Sequence, residues 1–313
     1  MTPEAAVSLT SLTRRFGELN AVDRLSFDVS RGELFGIVGP DGAGKTTTLR
    51  MLSGVLRPTS GDALMAGVSV ARDPEGVKPH IAYMSQRFGL YTDLTVRENI
   101  DFYADLYQVP KQDRPARIDR LYEFSALGEF ENRLAGQLSG GMKQKLSLCC
   151  ALIHHPEIML LDEPTFGVDP ISRRDLWLIV HEMVAEGMTV IVSTAYLDEA
   201  ERCDRVVLFH RGRVVALDTP EALRAHLAGK IYTVRTSDPR RASELLRQES
   251  CVSHATLFGE TIHLTLDDWT RDWPHAHATL EAHGVAVIEH GPADASLEDV
   301  FIELVRTTAD HNE

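Results

Sequence analysis

The chain opens on alternating apolar and polar positions. Val7-Ser8-Leu9 and Leu25-Ser26-Phe27-Asp28-Val29 put every second side chain on one face, and the polar turns between them predict an antiparallel β region. At Leu34 the pattern changes. Leu34-Phe35-Gly36-Ile37-Val38 is a continuous apolar run, as a strand buried on both faces requires, and it enters a glycine-rich turn followed by a helix over 46–52 that ends at Ser53-Gly54. That is half a βαβ unit. From about 88 to 145 apolar residues recur at helical spacing, at Ile100, Phe102, Tyr103 and Leu106 and again at Leu121, Phe124 and Leu127, which predicts a helical subdomain. Buried strands return at 158–161 and 190–193, each followed by a helix, the order of a doubly wound parallel sheet. A β-turn-β element around Arg211-Gly212 closes this first domain, 1–227.

Pro220, a short helix over 221–227 and Gly229 mark the boundary, and the pattern restarts beyond it. A strand over 231–236, a helix over 242–248, strands near 255–258 and 261–266, a helix over 275–283 and a strand over 285–289 give the order βαββαβ, which predicts a ferredoxin-like accessory domain over 228–313. Its last helix starts at Ser296, with Asp299 three residues on as the acid of a capping box.

Composition narrows the class. The 313 residues suffice for one large and one small domain, and 43% hydrophobic with 25% charged residues is the balance of a globular protein with a full core. A net charge of -14 argues against a nucleic-acid-binding surface, which would present a basic face. Cys149, Cys150, Cys203 and Cys251 show neither CxxC spacing nor zinc-finger partners and read as reduced, cytosolic residues. No run approaches the ~20 apolar residues of a membrane helix, and the N-terminus lacks the apolar core of a signal peptide. A chain of this kind that works at a membrane borrows another protein's span.

The chemistry begins at Gly39-Pro40-Asp41-Gly42-Ala43-Gly44-Lys45-Thr46, with Thr47 following, which fits GxxxxGK[ST] after a buried strand and before a helix. Glycines let the backbone N–H groups converge on a β-phosphate, the helix N-terminus adds partial positive charge, Lys45 bridges β and γ oxygens, and Thr46 offers a hydroxyl to Mg²⁺. The apolar strand ending at Asp162-Glu163 delivers two acids where open α/β sheets bind ligands. Asp162 can reach Mg²⁺ through water, and Glu163 can polarise an attacking water. These two motifs alone also fit a GTPase or a small-molecule kinase. A third motif decides: Leu138-Ser139-Gly140-Gly141-Met142, whose second glycine lies 21 residues before Asp162, starts a helix with Ser139 as its natural N-cap. It offers a second anion site, most economically for the γ-phosphate held by another subunit. No NKxD guanine signature is present.

With these motifs in order over residues 5 to about 226, the chain resembles an ABC transporter nucleotide-binding subunit. The resemblance implies an α/β P-loop NTPase cassette with ATP and Mg²⁺ as cofactors, in which Thr46, Gln86 and Asp162 serve the metal and Glu163 and Gln86 serve catalysis. It assigns Gln86 to the Q-loop beside the groove that receives a permease's coupling helix, Phe16 to stacking on adenine, and Asp169 to the D-loop across a dimer. Taken alone, Phe16 reads as a core residue and Gln86 as a solvated loop residue. LSGGM with Lys143-Gln144, the run from Val168 to Arg174 and the ending Ser296-Leu297-Glu298-Asp299-Val300-Phe301 are similar to ATPases of type-2 exporters, the multidrug group, and above all to the first cassette of tandem-cassette members. The partners implied are integral membrane permease subunits and a second cassette, at the inner face of the cell membrane.

One position departs from the family. Where a switch histidine contacts the γ-phosphate, this chain has Ala195, with Tyr196-Leu197-Asp198-Glu199-Ala200 holding the register. A methyl group donates no hydrogen bond, and losing one preorganised donor raises a barrier by about 2.7–4 kcal/mol. Two arrangements are open: an asymmetric pair, in which this chain lends LSGGM to a cassette that carries the histidine, or a homodimer in which another group or water compensates. Non-transport relatives fit less well. Only 53 positions separate Gln86 from Ser139, too few for the coiled coil of a DNA-maintenance ATPase, and a translation-factor ATPase usually has two cassettes in one chain.

Overall fold

The computed structural model describes residues 5–86 and 89–310, so the limits at 1, 88 and 313 of the expected segments lie outside the described residues. The chain divides into two compact units, Met1–Val214 and Val215–Glu313.

In the first unit the long strands β1 (Ala5–Phe16) and β2 (Leu19–Ser30) pair antiparallel, and α1 (Lys45–Leu52) follows β3 (Leu34–Val38). β4 (Ser60–Met65) and β5 (Val68–Ser69) complete a four-stranded sheet in the order β2-β1-β4-β5. β1 is longer than its sequence pattern suggests because a register shift falls between Leu9 and Leu12. Both leucines are buried although three positions apart, and Ser11 between them sits at φ 47. A bulge of this kind breaks the period of two without ending the strand.

After α2 (Pro74–Val77) come β6 (Ile81–Met84), α3 (Val96–Leu106), α4 (Arg114–Ser125) and α5 (Gly140–Leu152), and the last three helices form the expected helical region. Thr95 and Glu98 cap α3 reciprocally, which fixes where it begins. β7 (Ile158–Asp162), α6 (Pro170–Ala185), β8 (Thr189–Thr194), α7 (Leu197–Ala200), β9 (Arg205–His210) and β10 (Arg213–Asp218) then complete a six-stranded sheet, β10-β9-β3-β8-β7-β6. β3 pairs parallel with both β8 and β9, and β7 with both β6 and β8. Every residue of β3, β7 and β8 is buried, as strands covered on both faces must be.

The second unit holds α8 (Pro220–Ala225), β11 (Ile231–Thr236), α9 (Pro239–Leu246), β12 (His254–Phe258), β13 (Thr261–Thr265), α10 (Trp269–Ala282), β14 (Val287–Pro292) and α11 (Leu297–Asp310). The sheet order β12-β13-β11-β14, antiparallel throughout, is the ferredoxin-like arrangement expected from βαββαβ. Val234, Leu246, Ile262, Leu264, Trp273 and Leu280 are among its core residues. Several boundaries differ from the sequence expectation, among them α9, which runs over 239–246 and not 242–248. α10 begins six residues before the expected 275, because Asp268 caps it by accepting from the Arg271 N–H at 3.1 Å. Pro274 then lies inside the helix, where it removes a single backbone donor near the first turn while Trp269 and Trp273 stack at 4.6 Å. β14 runs over 287–292 and not 285–289, since its pairing with β11 sets Val287 opposite Thr236 and Pro292 opposite Tyr232.

α11 starts as read from the sequence. The Ser296 hydroxyl accepts from the Asp299 N–H at 3.2 Å, and the Asp299 carboxylate accepts from the Ser296 N–H at 2.9 Å and from its hydroxyl at 2.7 Å. His263 on β13 approaches the same carboxylate at 3.2 Å. Burial pushes this carboxyl up, but the hydrogen bonds from His263 and Ser296 outweigh it and hold it below the usual carboxylate range. A depressed pKa contributes stability that is fully present above the unfolded carboxyl's pKa and is lost as the pH falls through the folded value. Asp299→Ala is therefore expected to destabilise the second unit by about 1–2 kcal/mol at neutral pH, with the gap to the unsubstituted chain closing below roughly pH 4. Urea unfolding followed by tryptophan fluorescence measures this, since Trp269 and Trp273, two of the three tryptophans, lie in that unit.

Candidate active site

The carboxyl ends of β3, β8 and β7 lie level in neighbouring strands, because Val38 pairs with Thr194 and Asp162 with Ser193. The loops that leave the sheet at this edge are thereby brought together. The loop after β3 is anchored at its start by the Gly39 N–H, which donates to the Thr194 carbonyl at 3.3 Å. It turns into α1 through Gly44 at φ 108, where a Cβ would stand 2.5 Å from the Ala21 carbonyl oxygen. Only glycine fits there.

Lys45 is 4% exposed, and its ammonium donates to the main-chain oxygens of Gly39 at 2.8 Å and Pro40 at 3.2 Å and lies 3.1 Å from Glu163 Oε1. The Thr46 hydroxyl donates to Asp162 Oδ1 at 2.9 Å, the Ser193 hydroxyl donates to the same oxygen at 2.7 Å, and the Tyr83 hydroxyl donates to Oδ2 at 3.2 Å. Burial, and then the charge of Asp162, push the Tyr83 phenol up to about 12, so it stays a donor. Glu163 leaves the strand with φ 49, a left-handed conformation unusual for a residue with a side chain. The Glu163 N–H donates to the Ser193 carbonyl and approaches the Ser193 hydroxyl, both at 3.1 Å, and its Oε2 accepts from Gln86 Nε2 at 2.9 Å.

Of these groups, Lys45, Thr46, Gln86 and Glu163 line a cleft of about 750 Å³, while Asp162 and Ser193 are buried. The β1–β2 turn contributes Phe16, Leu19 and Asn20, and the glycine loop with the start of α1 contributes Asp41, Gly42, Gly44, Lys45, Thr46 and Thr47. Gln86, Glu163, Phe166 and Arg211 also line it. Phe16 is 46% exposed, with the Arg14 guanidinium 4.5 Å above its ring, so this aromatic side chain is no core residue. Ala43 is buried beneath the loop, where its carbonyl accepts from the Gly212 N–H at 2.9 Å.

A smaller pocket of about 200 Å³ adjoins through the shared residues Asp41, Glu163 and Phe166, and is also lined by Thr194, Ala195 and Tyr196. The segment carrying Ala195 is held by Glu199, which is 1% exposed and accepts from the Thr165 hydroxyl at 2.6 Å and the Thr194 hydroxyl at 2.7 Å. Arg173 lies 3.5 Å from the same carboxylate and places its guanidinium 4.6 Å above the Tyr196 ring.

None of Leu138, Ser139, Gly140, Gly141, Met142 and Asp169 is among the described lining residues of either pocket. Ser139 caps α5 by accepting from the Met142 N–H at 3.3 Å, and both Ser139 and Gly140 are exposed. A Cβ on Gly141 would collide with Ser172 on α6. Asp169 caps that helix by accepting from the N–H groups of Ile171 and Ser172 at 3.1 and 3.0 Å, and the Ser172 N–H chiefly holds its carboxyl below the usual range. The two motifs expected to face another subunit thus start neighbouring helices. Tyr83, Ser193 and Glu199 have no separate part in the sequence reading. The available signal for Ser193 and Glu199 is their place at and just beyond the end of β8, level with Asp162 in the sheet.

The ABC transporter family profile matches residues 22–166, and the profile for the C-terminal domain of DrrA1-3-like ATP-binding proteins matches 219–305. The chain is 42% identical over 308 residues to the probable multidrug ABC transporter ATP-binding protein YbhF of Escherichia coli (strain K12), covering 96% of this chain and 52% of that protein. It therefore spans about half the length of that relative. It is 35% identical over 306 residues to the Nod factor export ATP-binding protein I of Paraburkholderia xenovorans (strain LB400), covering 96% and 97%. Among solved structures, an ATP-binding subunit of an ABC transporter matches with a TM-score of 0.64 at 31% identity over 71% of this chain and 92% of that one. Full-length similarity at this level, both profiles and the cleft built by the glycine loop and the acidic strand end agree: the chain belongs to the family of ABC transporter ATP-binding subunits.

Proposed function

We propose that this chain is the ATP-hydrolysing motor of an exporter, working with integral membrane permease subunits at the inner face of the cell membrane, with residues 1–227 as the cassette and 228–313 as an accessory domain. The observation that carries this reading is the pairing of Lys45 with Glu163 in the cleft and of the cleft residue Thr46 with the buried Asp162, which joins the phosphate loop to the two acids. The donor set suits MgATP. A buried ammonium is satisfied by main-chain oxygens and a carboxylate, and a hydroxyl sits beside a carboxylate as hard-cation coordination requires. ATP bound there would supply the phosphoanhydride, and Mg²⁺ would neutralise charge on its oxygens.

The chain's own residues then divide the work. Gly39, Pro40, Asp41, Gly42, Ala43 and Gly44 shape the phosphate loop, Lys45 would turn from Glu163 to phosphate, Thr46 and Asp162 would hold the metal, and Thr47 and Phe16 would bind the nucleotide further along. Released from Lys45, Glu163 orients and deprotonates the attacking water, with Gln86 keeping its hydrogen bond to the carboxylate. The start of α5, Leu138 to Met142, with Ser139 and Gly140 exposed, grips the γ-phosphate of a second cassette, and Asp169 faces that cassette across the interface. Nucleotide favours the closed pair through these added contacts, which is the source of the work passed to the permease.

Ala195 sets this site apart from a self-sufficient one. Its methyl group lines the pocket beside Glu163 and supplies no donor where charge develops. The working unit is accordingly an asymmetric pair, with a partner cassette that carries the switch histidine. The exported substrate is chosen by the permease.

Lys45→Ala is expected to abolish MgATP binding measured by equilibrium titration, while Glu163→Gln, if the chain's own site hydrolyses ATP at all, accumulates an ATP-bound dimer in size-exclusion chromatography. A Glu163→Gln chain that stays monomeric with ATP counts against the scheme. The purified chain alone is expected to hydrolyse ATP slowly, and Ala195→His to raise its turnover by about 10²–10³. Robust, cooperative turnover by the unsubstituted chain defeats the asymmetric pair.

A further inference from the structure

Arg211 occupies a position that the nucleotide scheme leaves without a task. It lines the same cleft as Phe16, Lys45 and Thr47, at the tip of the turn between β9 and β10. The cleft also presents the carboxylates of Asp41 and Glu163, so a polyanionic ligand depends on each cation that faces it. Lys45 already has three oxygens of the chain within reach. Arg211 makes no hydrogen bond or ion pair with another described residue, whereas its hairpin neighbours Arg205 and Arg213 are paired with Glu33 and Asp23.

The backbone there is strained. Arg211 has φ 49 and Gly212 φ 77, the two left-handed central positions of a tight hairpin turn, where Asn, Asp and Gly are favoured. A long cationic side chain in that conformation is unfavourable locally, and such outliers gather at functional sites. The turn is also fixed relative to the phosphate loop. The Gly212 N–H donates to the Ala43 carbonyl at 2.9 Å, the Asp23 N–H donates to the Gly212 carbonyl at 2.8 Å, and a Cβ on Gly212 would stand 2.8 Å from the Ala21 oxygen.

We propose that Arg211 is a further nucleotide-binding residue, whose guanidinium pairs with the α-phosphate of the bound nucleotide. The assignment rests on the ATP-site reading above. Lys45 and Glu163 mark the place of the terminal phosphate, and Arg211 is absent from the described lining of the pocket that Glu163 shares with Ala195. Its turn is bonded instead to the loop residue before Gly44 and to β2. Its guanidinium is accordingly assigned to the inner phosphate, in the cleft it shares with Thr47 and Phe16.

The test is equilibrium binding of MgATP and MgADP to the full chain carrying Arg211→Gly, Arg211→Lys or no substitution. Because an α-phosphate is common to both nucleotides, Arg211→Gly is expected to weaken both by about tenfold at low ionic strength, with the difference shrinking as salt is added. Arg211→Lys keeps most of the affinity. Glycine suits the left-handed turn, so the thermal midpoint of Arg211→Gly stays level or rises, which separates lost binding from lost folding. Unchanged affinity for both nucleotides in Arg211→Gly overturns the assignment, as does a loss confined to ATP. An unsubstituted chain that binds neither nucleotide overturns the ATP-site reading itself.

Discussion

Asp162 is a carboxylate at the end of a fully buried strand, almost without access to water, and the site is organised around keeping it satisfied. Three hydroxyls converge on its two oxygens, from Thr46 on α1, Ser193 on β8 and Tyr83 on β6. A buried carboxylate without such donors would be strongly unfavourable, so the three elements that supply them are held in register by one charge. Strand pairing makes the convergence available: β8 lies between β3 and β7, which sets Ser193 directly across from Asp162 and Thr194 across from Val38.

The lysine and glutamate beside it add a second constraint. Lys45 and Glu163 neutralise one another in the cleft, and the left-handed turn at Glu163 aims its carboxylate at the ammonium. In the proposed cycle this contact also keeps the base occupied until phosphate arrives. Binding and activation are then the same event, because the group that captures phosphate is the group that frees the carboxylate.

Much of this was legible in the sequence, for identifiable physical reasons. Buried parallel strands read as unbroken apolar runs, so Leu34–Val38 and the strand before Asp162 declared themselves, and the glycine loop could be placed between strand and helix. The ferredoxin-like order of the second unit followed from its alternation of periods. The misreadings fall where local rules conflict. A bulge near Ser11 hid the length of β1, and Pro274 masked the start of α10, which its Asp268 cap and stacked tryptophans secure regardless. Tyr83, Ser193 and Glu199 were illegible as a set, because their meaning lies in which strands are neighbours. A single hydroxyl or acid beyond an apolar strand carries no label of the carboxylate or loop it will meet.

The close approach of Gly141 to Ser172 has a mechanical consequence. With no side chain on Gly141, the first turn of α5 packs directly on the Ser172 side chain of α6, and Lys145 reaches across from α5 to Asp175 on α6 at 2.8 Å. Two helix starts joined in this way tilt together. In the proposed pair of cassettes, the surface they offer behaves as one stiff plate, so a displacement felt at Ser139 reaches Asp169 without an intervening hinge.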